Sequence, residues 1–383
     1  MNILSKKQVA TIFLMALIPF TIYTFIRPEL RGFDSYAFLT QACGQFEVIG
    51  TPLIANAILT TIPCNIIAIK GVLFLLFFAT LLGIGSLGEL FHKEKGWLAA
   101  LFSFLSPILL FEATKFENDQ FATPILIWAT YFFYKARITK QKKYDLICLS
   151  LLIIASQIWQ GTIYFLLAFA ISSFIIAIPG ILATILYFQK LISSTLPSNL
   201  VTETQPIAGL AMLWGLSFGF SLLPLMMYPQ AAIFLLLMVL QIKFAWFIAP
   251  LLSVGILLFY TNQKLANYKI KTHNIGQVVQ GSLLTIAIAG VVVWGFALSG
   301  HPPHSYTWEA VEYAIDQSPN GKVFNDWDLG YFIIHKDGTP SQYGGGRQYA
   351  FSKGIVITKK EQPTENCQLL KQFNKLLVYD CHQ

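Results

Sequence analysis

Residues 66–91 are apolar from end to end, and Lys70 and Glu89 are the only charges among them. Roughly 20 such residues cross the hydrocarbon layer of a bilayer as one helix. The pattern recurs along the chain. Further apolar runs occupy residues 9–26, 97–112, 121–136, 145–159, 162–178, 180–196, 207–227 and 276–299. Residues 230–260 read as two short spans hinged near Gln241-Ile-Lys243. Of the 383 residues, 55% are hydrophobic and 12% charged, which excludes an ordinary soluble domain. Backbone polar groups in lipid must be satisfied within the segment, so the spans are expected to be helices. The expected fold is mainly α: a polytopic transmembrane helical bundle of about eleven spans.

The net charge of +7 sits in short clusters between the runs. These are orientation signals and do not indicate a nucleic-acid partner. Placing Lys6-Lys7, 93–95, 135–143 and 264–271 in the cytoplasm satisfies the positive-inside rule throughout. Lys6 and Lys7 then open an uncleaved first span, with the N-terminus cytoplasmic. Asp34, Glu117, Asp119, Glu203, Lys243 and everything from His301 onward fall on the other side. The lysines set this orientation, so the convergence of the acids on one face is a separate result.

A carboxylate kept beside a membrane is costly and marks a functional site by default. Hard oxygen ligands on one face suit Mg²⁺ or Mn²⁺. Glu117 and Asp119 are two apart and cannot share a helix face, so both reach one ion only from a loop or a helix start. The competing reading is that Asn118 or Asp119 caps a helix. Arg27, Arg31 and Lys115 lie beside the acids, placed to pair with them or to bind phosphate. Lys70 and Glu89 read as interfacial residues near the ends of their span. His301 and His304, in His-Pro-Pro-His, read as part of a juxtamembrane linker.

The tail differs in kind. Domain boundaries are expected at 1–300 for the membrane domain and 301–383 for a small extracytoplasmic α/β domain. Trp308–Asp316 has helical periodicity, with Trp308, Val311 and Ile315 on one face. Ser318-Pro-Asn-Gly321 is a turn. Val323-Phe324, Tyr331–Ile334, Gly354–Thr358 and Leu376–Tyr379 read as strands. The five cysteines show no metal-ligand spacing. Cys367 and Cys381 can pair in an extracytoplasmic segment, and free thiols are the equal alternative.

Five segments in order resemble the catalytic subunit of oligosaccharyltransferase, a C-type glycosyltransferase. Gly32-Phe-Asp-Ser-Tyr-Ala-Phe38 is similar to its Gly-x-Asp-Pro-Tyr motif, and Phe116-Glu-Asn-Asp119 to its second acidic motif. Gln157-Ile-Trp-Gln-Gly-Thr-Ile-Tyr164 is similar to its Trp-x-Gly-Tyr hairpin, and Val201–Pro206 to its external-loop segment. Asp326-Trp-Asp-Leu-Gly-Tyr331 resembles the Trp-Trp-Asp-Tyr-Gly acceptor motif, with Gly344-Gly-Gly346 following. The acceptor motif departs from the family's in two places: Asp326 replaces the first Trp, and Leu329 replaces the Tyr.

The resemblance implies an enzyme that transfers a glycan from a polyprenyl- or dolichyl-phosphate carrier to asparagine of a polypeptide sequon, which is protein N-glycosylation. It implies that Asp34, Glu117, Asp119 and Glu203 hold the divalent cation, Mn²⁺ or Mg²⁺. Asp34 and Glu203 would also engage the acceptor amide as catalytic groups. Lys243 would face the lipid phosphates, and Trp327 and Asp328 would read the sequon hydroxyl. An accessory subunit is a further implied partner, and membrane lipid surrounds the whole. Two other readings stay open. One is a polyprenyl-phosphate-sugar-dependent transferase acting on a lipid or surface polymer. The other is a membrane transporter or non-catalytic relative. The site is expected to face the outside of a cell membrane, or the endoplasmic reticulum lumen in a eukaryote.

Overall fold

The computed structural model describes residues 4–45, 53–105, 109–110, 113–159, 303–341, 354–359 and 367–381, with scattered positions between 161 and 178. Glu203, Lys243, Gly344–Gly346 and the expected spans from residue 180 to 299 lie outside the described residues, so the eleven-span expectation extends beyond them. The chain divides into two compact units. One comprises Met1–Thr24, Val72–Ala113 and Asn118–Ala297. The other comprises Phe25–Gly71, Thr114–Glu117 and Leu298–Gln383.

Two helices in the described residues are long and apolar enough to cross a membrane: α1 (Lys6–Ile26) and α4 (Ile66–Phe91). Both coincide with expected spans. Between them lie α2 (Phe33–Ala42) and α3 (Leu53–Thr61). In the first unit, α1 meets α4 through edge-on aromatic contacts, with Phe13 at 5.4 Å from both Phe74 and Phe78. Helix α5 (Gly96–Phe104) packs on α4 through small residues. A Cβ on Gly88 would come within 2.8 Å of the Ala99 Cβ and 2.9 Å of the Gly96 carbonyl oxygen. Backbones approach this closely only where side chains are small, and in lipid such packing holds helices together. Glu89 accepts the Glu94 and Gly96 amides at 2.6 and 3.1 Å and so ties off the turn before α5. Its side chain is buried, and it satisfies amides that would otherwise lack partners.

Helices α6 (Asn118–Thr139) and α7 (Lys142–Ser156) form a hairpin. Arg137 grips Asp145 with two hydrogen bonds of 3.1 and 2.8 Å and lies over the Phe133 ring. A two-pronged guanidinium–carboxylate contact fixes direction as well as distance.

The second unit contains a five-stranded sheet in the order β2-β1-β3-β5-β4. Its strands are β1 (Lys322–Asn325), β2 (Thr339–Pro340), β3 (Gly354–Thr358), β4 (Cys367–Phe373) and β5 (Leu376–Cys381). β1 runs parallel to β2 and β3, whereas β5 runs antiparallel to β3 and β4. Phe324, Val356, Leu377, Tyr379 and Cys381 form one cluster of its core. Helix α8 (Ser305–Gln317) packs on the sheet, burying Ala310, Val311 and Ala314. Val311 is buried as expected, whereas Trp308 and Ile315 at the edges of that face are half-buried. The Ser318–Gly321 turn is present, with Gly321 at φ 62°.

One expected strand is a helix. Tyr331–Ile334 lies in α9 (Gly330–His335), reached through a 3-10 turn at Trp327–Leu329. A four-residue apolar run has no periodicity that separates strand from helix. Here the turn leads straight into α9, whose Tyr331, Phe332 and Ile333 are buried.

Two disulfides brace this unit. Cys43, at the end of α2, is bonded to Cys64, between α3 and α4. Cys367 of β4 is bonded to Cys381 of β5, which it faces in register. Cys148 in α7 is free and buried.

Candidate active site

Asp34 lies in the first turn of α2, just after Gly32, whose φ of 79° favours glycine. The structure describes Asp34 by its backbone alone. Two hydrogen bonds tie its segment to residues 81 and 83 positions later. Arg31 Nη1 donates to Thr114 Oγ1 at 3.0 Å, and the Phe116 amide donates to Ser35 Oγ at 2.9 Å. Arg31 and Phe116 are fully buried. The backbone on either side of Asp34 is therefore fastened to the backbone just before Glu117. Sequence order gives no hint of this pairing, yet it joins the Asp34 segment to Thr114–Glu117 inside one unit.

Glu117 is half-buried in the bend before α6, and Asp119 is buried in the first turn of that helix. This loop-and-helix-start arrangement is the backbone setting that carboxylates two apart require if both are to reach one ion. It also sets Asp119 at the favourable end of the helix dipole. Among the described residues, no three His, Cys, Asp or Glu side chains gather as a metal-holding group. Glu203 and the Asp34 side chain are not among them.

The linker from α1 is also held within this unit. Arg27 Nη2 donates to the Pro303 carbonyl at 2.6 Å. Lys70 is buried, and its ammonium donates to the carbonyls of Arg27 and Pro28. Burial pushes the Glu29 carboxyl up from its ordinary value, and Arg27 and Trp308 oppose the rise. His304 heads α8: its amide donates to Thr307 Oγ1 at 3.2 Å, and its carbonyl accepts the Thr307 amide at 2.8 Å.

Tyr36, two residues after Asp34, stands in an aromatic cluster. Its ring centre lies 5.1 Å from Trp308, 5.1 Å from Phe332 and 5.2 Å from His335. The cluster joins α2 to α8 and α9, and α9 directly follows the Trp327–Leu329 turn. Burial pushes the His335 imidazole below its ordinary 6.5, Lys336 adds to the fall, and Asp337 opposes it. The unfolded chain therefore takes this proton more readily than the folded one. Stability is complete above pH ~6.5 and declines as pH drops through the lowered folded value. His335→Gln should flatten the acid side of the profile of thermal stability against pH. An acid slope unchanged in that variant would show that His335 does not contribute to it.

Asp326, Trp327 and Asp328 leave the carboxyl end of β1. Asn325 and Ser341, both buried, hold that end: the Ser341 amide donates to Asn325 Oδ1 at 3.0 Å, and the Asn325 amide to Ser341 Oγ at 3.2 Å. Asp326 accepts from Thr358 Oγ1 at 3.2 and 3.1 Å and from the Lys359 amide at 2.9 Å. Asp328 is ion-paired with Lys359. Trp327 is described by its backbone alone. Sequence reasoning missed Lys359, because its only signal is its place at the end of a strand parallel to β1.

No protein-family profile matches this chain. No curated protein matches it either. Solved structures do. The apo oligosaccharyltransferase of Archaeoglobus fulgidus gives a TM-score of 0.60 at 11% identity, covering 87% of this chain and 64% of its own. ArnT from Cupriavidus metallidurans bound to undecaprenyl phosphate gives 0.58 at 8% identity, covering 98% of each chain. The chain has the C-type glycosyltransferase fold. Archaeal AglB from A. fulgidus, in complex with an inhibitory peptide and a dolichol-phosphate, shares this fold with a TM-score of 0.56 at 12% identity. That match covers 89% of this chain and 65% of AglB. The chain thus spans a little under two thirds of the archaeal oligosaccharyltransferase. Within the C-type fold, the expected resemblance is recovered from structure at identities where sequence comparison alone finds nothing.

Proposed function

We propose that this chain is a membrane glycosyltransferase that moves a glycan from a polyprenyl (di)phosphate carrier to an acceptor, foremost the asparagine of a polypeptide sequon. The observation that carries this reading is the fastening of the Asp34 segment to the Glu117 segment through Arg31–Thr114 and Phe116–Ser35. Both belong to the unit that also holds the Asp326–Leu329 turn. A polytopic chain with the C-type fold has this use for acids at the ends of its spans.

The donor set fits a hard divalent cation. Asp34, Glu117, Asp119 and Glu203 are all carboxylates, with no thiolate or imidazole to favour a softer metal. When bound, Mn²⁺ or Mg²⁺ supplies Lewis-acid stabilisation of the phosphate leaving group. Asp34 and Glu203 hold and orient the acceptor amide, and Lys243 neutralises lipid phosphate as a point charge. Trp327 and Asp328 contact the acceptor side chain that follows the asparagine.

The pattern of cysteines supports an extracytoplasmic site. Disulfides persist in oxidising compartments. Both bonded pairs fall in segments that the lysine pattern puts outside, whereas free Cys148 follows the cytoplasmic Lys142-Lys143 by a few residues.

A second reading is a polyprenyl-phosphate-sugar-dependent transferase that acts on a lipid or surface polymer. The ArnT match, covering 98% of both chains with undecaprenyl phosphate bound to ArnT, supports its carrier. The test is glycan transfer in membranes containing this chain, with a fluorescent Asn-x-Thr peptide, a lipid-linked glycan and Mn²⁺. A metal-dependent, slower-migrating peptide supports the first reading. Metal-dependent consumption of the lipid-linked sugar without peptide product supports the second. No turnover with any native lipid extract would defeat both.

A further inference from the structure

Lys359 follows the last residue of β3, and Asp328 lies in the turn that leaves β1. The two strands are parallel, with Asn325 opposite Ile357, so their carboxyl ends emerge side by side. Ligand sites on sheets with parallel strands form outside such ends. The two acids of the turn are used differently there. Asp326 is committed to the fold, bonded to Thr358 Oγ1 and to the Lys359 amide. That bond pins the Lys359 backbone beside the turn. The Lys359 side chain, 55% exposed, reaches across to Asp328 Oδ2, whose side chain is 23% exposed.

We infer that Lys359 is a specificity-determining residue: it shares the Asp328 carboxylate with the acceptor and so relaxes the site's demand for an acceptor hydroxyl. The inference rests on the proposed role of Asp328 in acceptor binding. A hydroxyl donates most strongly to a carboxylate that carries its full charge. The Lys359 ammonium offsets that charge and occupies one of the two oxygens. Both partners are partly exposed, and ion pairs of this kind are weak enough for an acceptor to displace. A turn built this way discriminates less between acceptors with and without the hydroxyl than a bare carboxylate would. Removing the ammonium should sharpen hydroxyl preference by roughly two- to five-fold.

The test compares two fluorescent peptides, Asn-x-Thr and Asn-x-(2-aminobutyrate), which differ only by a hydroxyl in place of a hydrogen. The full chain is assayed in native membranes. Lys359→Met should raise the ratio of kcat/KM for the two peptides by roughly two- to five-fold, mainly through KM, whereas Lys359→Arg should keep the wild-type ratio. In an Asp328→Asn background, Lys359→Met should leave the ratio unchanged. A ratio unaffected by Lys359→Met with Asp328 intact overturns the inference and leaves the proposed function standing. A ratio altered equally with and without Asp328 also overturns it, since Lys359 would then act elsewhere. If the wild-type chain consumes lipid-linked sugar but neither glycosylates nor is inhibited by either peptide, the sequon reading falls and this role falls with it.

Discussion

Asp34→Ala and Glu203→Ala should each lower glycan transfer by roughly three orders of magnitude, about 4 kcal/mol of transition-state stabilisation. Each removes a proposed cation ligand that also orients the acceptor, so the loss falls on kcat as well as on KM. The readout is initial rate of transfer at several Mn²⁺ concentrations. Excess Mn²⁺ should restore little, because the acceptor contact is gone with the ligand. Asp316→Ala, at an exposed position of α8, is the control and should stay within about two-fold of wild type. If Asp34→Ala and Glu203→Ala both kept near-normal rates, the acids at the span ends would have no catalytic part and the proposed function would fail.

Losing the Cys43–Cys64 bond should cost about 3 kcal/mol, as expected for a loop with a sequence separation of 21 residues. The Cys367–Cys381 bond, with a separation of 14, should contribute almost as much. The first bond matters more for activity. It fastens the far end of α2, the helix whose first turn carries Asp34. Membrane proteins commonly unfold irreversibly, so the quantity to measure is the half-life of transfer activity at a fixed raised temperature. A Cys43→Ser/Cys64→Ser variant should inactivate much faster than wild type, and reductant should shorten its half-life further by opening Cys367–Cys381. Alkylation of the denatured chain without reductant should label one cysteine of the five, Cys148. Labelling of all five in protein taken directly from cells would show that the bonds do not form and would remove this support for an extracytoplasmic site.

The sequence by itself determined the class of fold and much of the element plan. Apolar runs long enough to cross a bilayer admit little besides helices, so α1 and α4 were readable as spans from hydropathy alone. β1, β3 and β5 were readable because short apolar runs there are bounded by turn residues. Residue type also marked the acids, since carboxylates beside lipid need a reason to persist.

The tertiary structure decided which of these pieces meet. Whether Tyr331–Ile334 was strand or helix depended on the turn before it, which no local periodicity encodes. Arg31 was readable as a partner for the acids or for phosphate, but not as the donor to Thr114 that its buried guanidinium is, fastening the Asp34 segment to Thr114–Glu117. Cys43 and Cys64 carried no pairing signal, because spacing along the chain does not fix distance in space. Lys359 meets Asp328 only because β1 and β3 are parallel neighbours, so that residues 31 positions apart share one strand end. Hydropathy and residue chemistry act locally and can be read along the chain. Pairings between distant segments depend on how the whole chain packs, and those pairings set the geometry of the site.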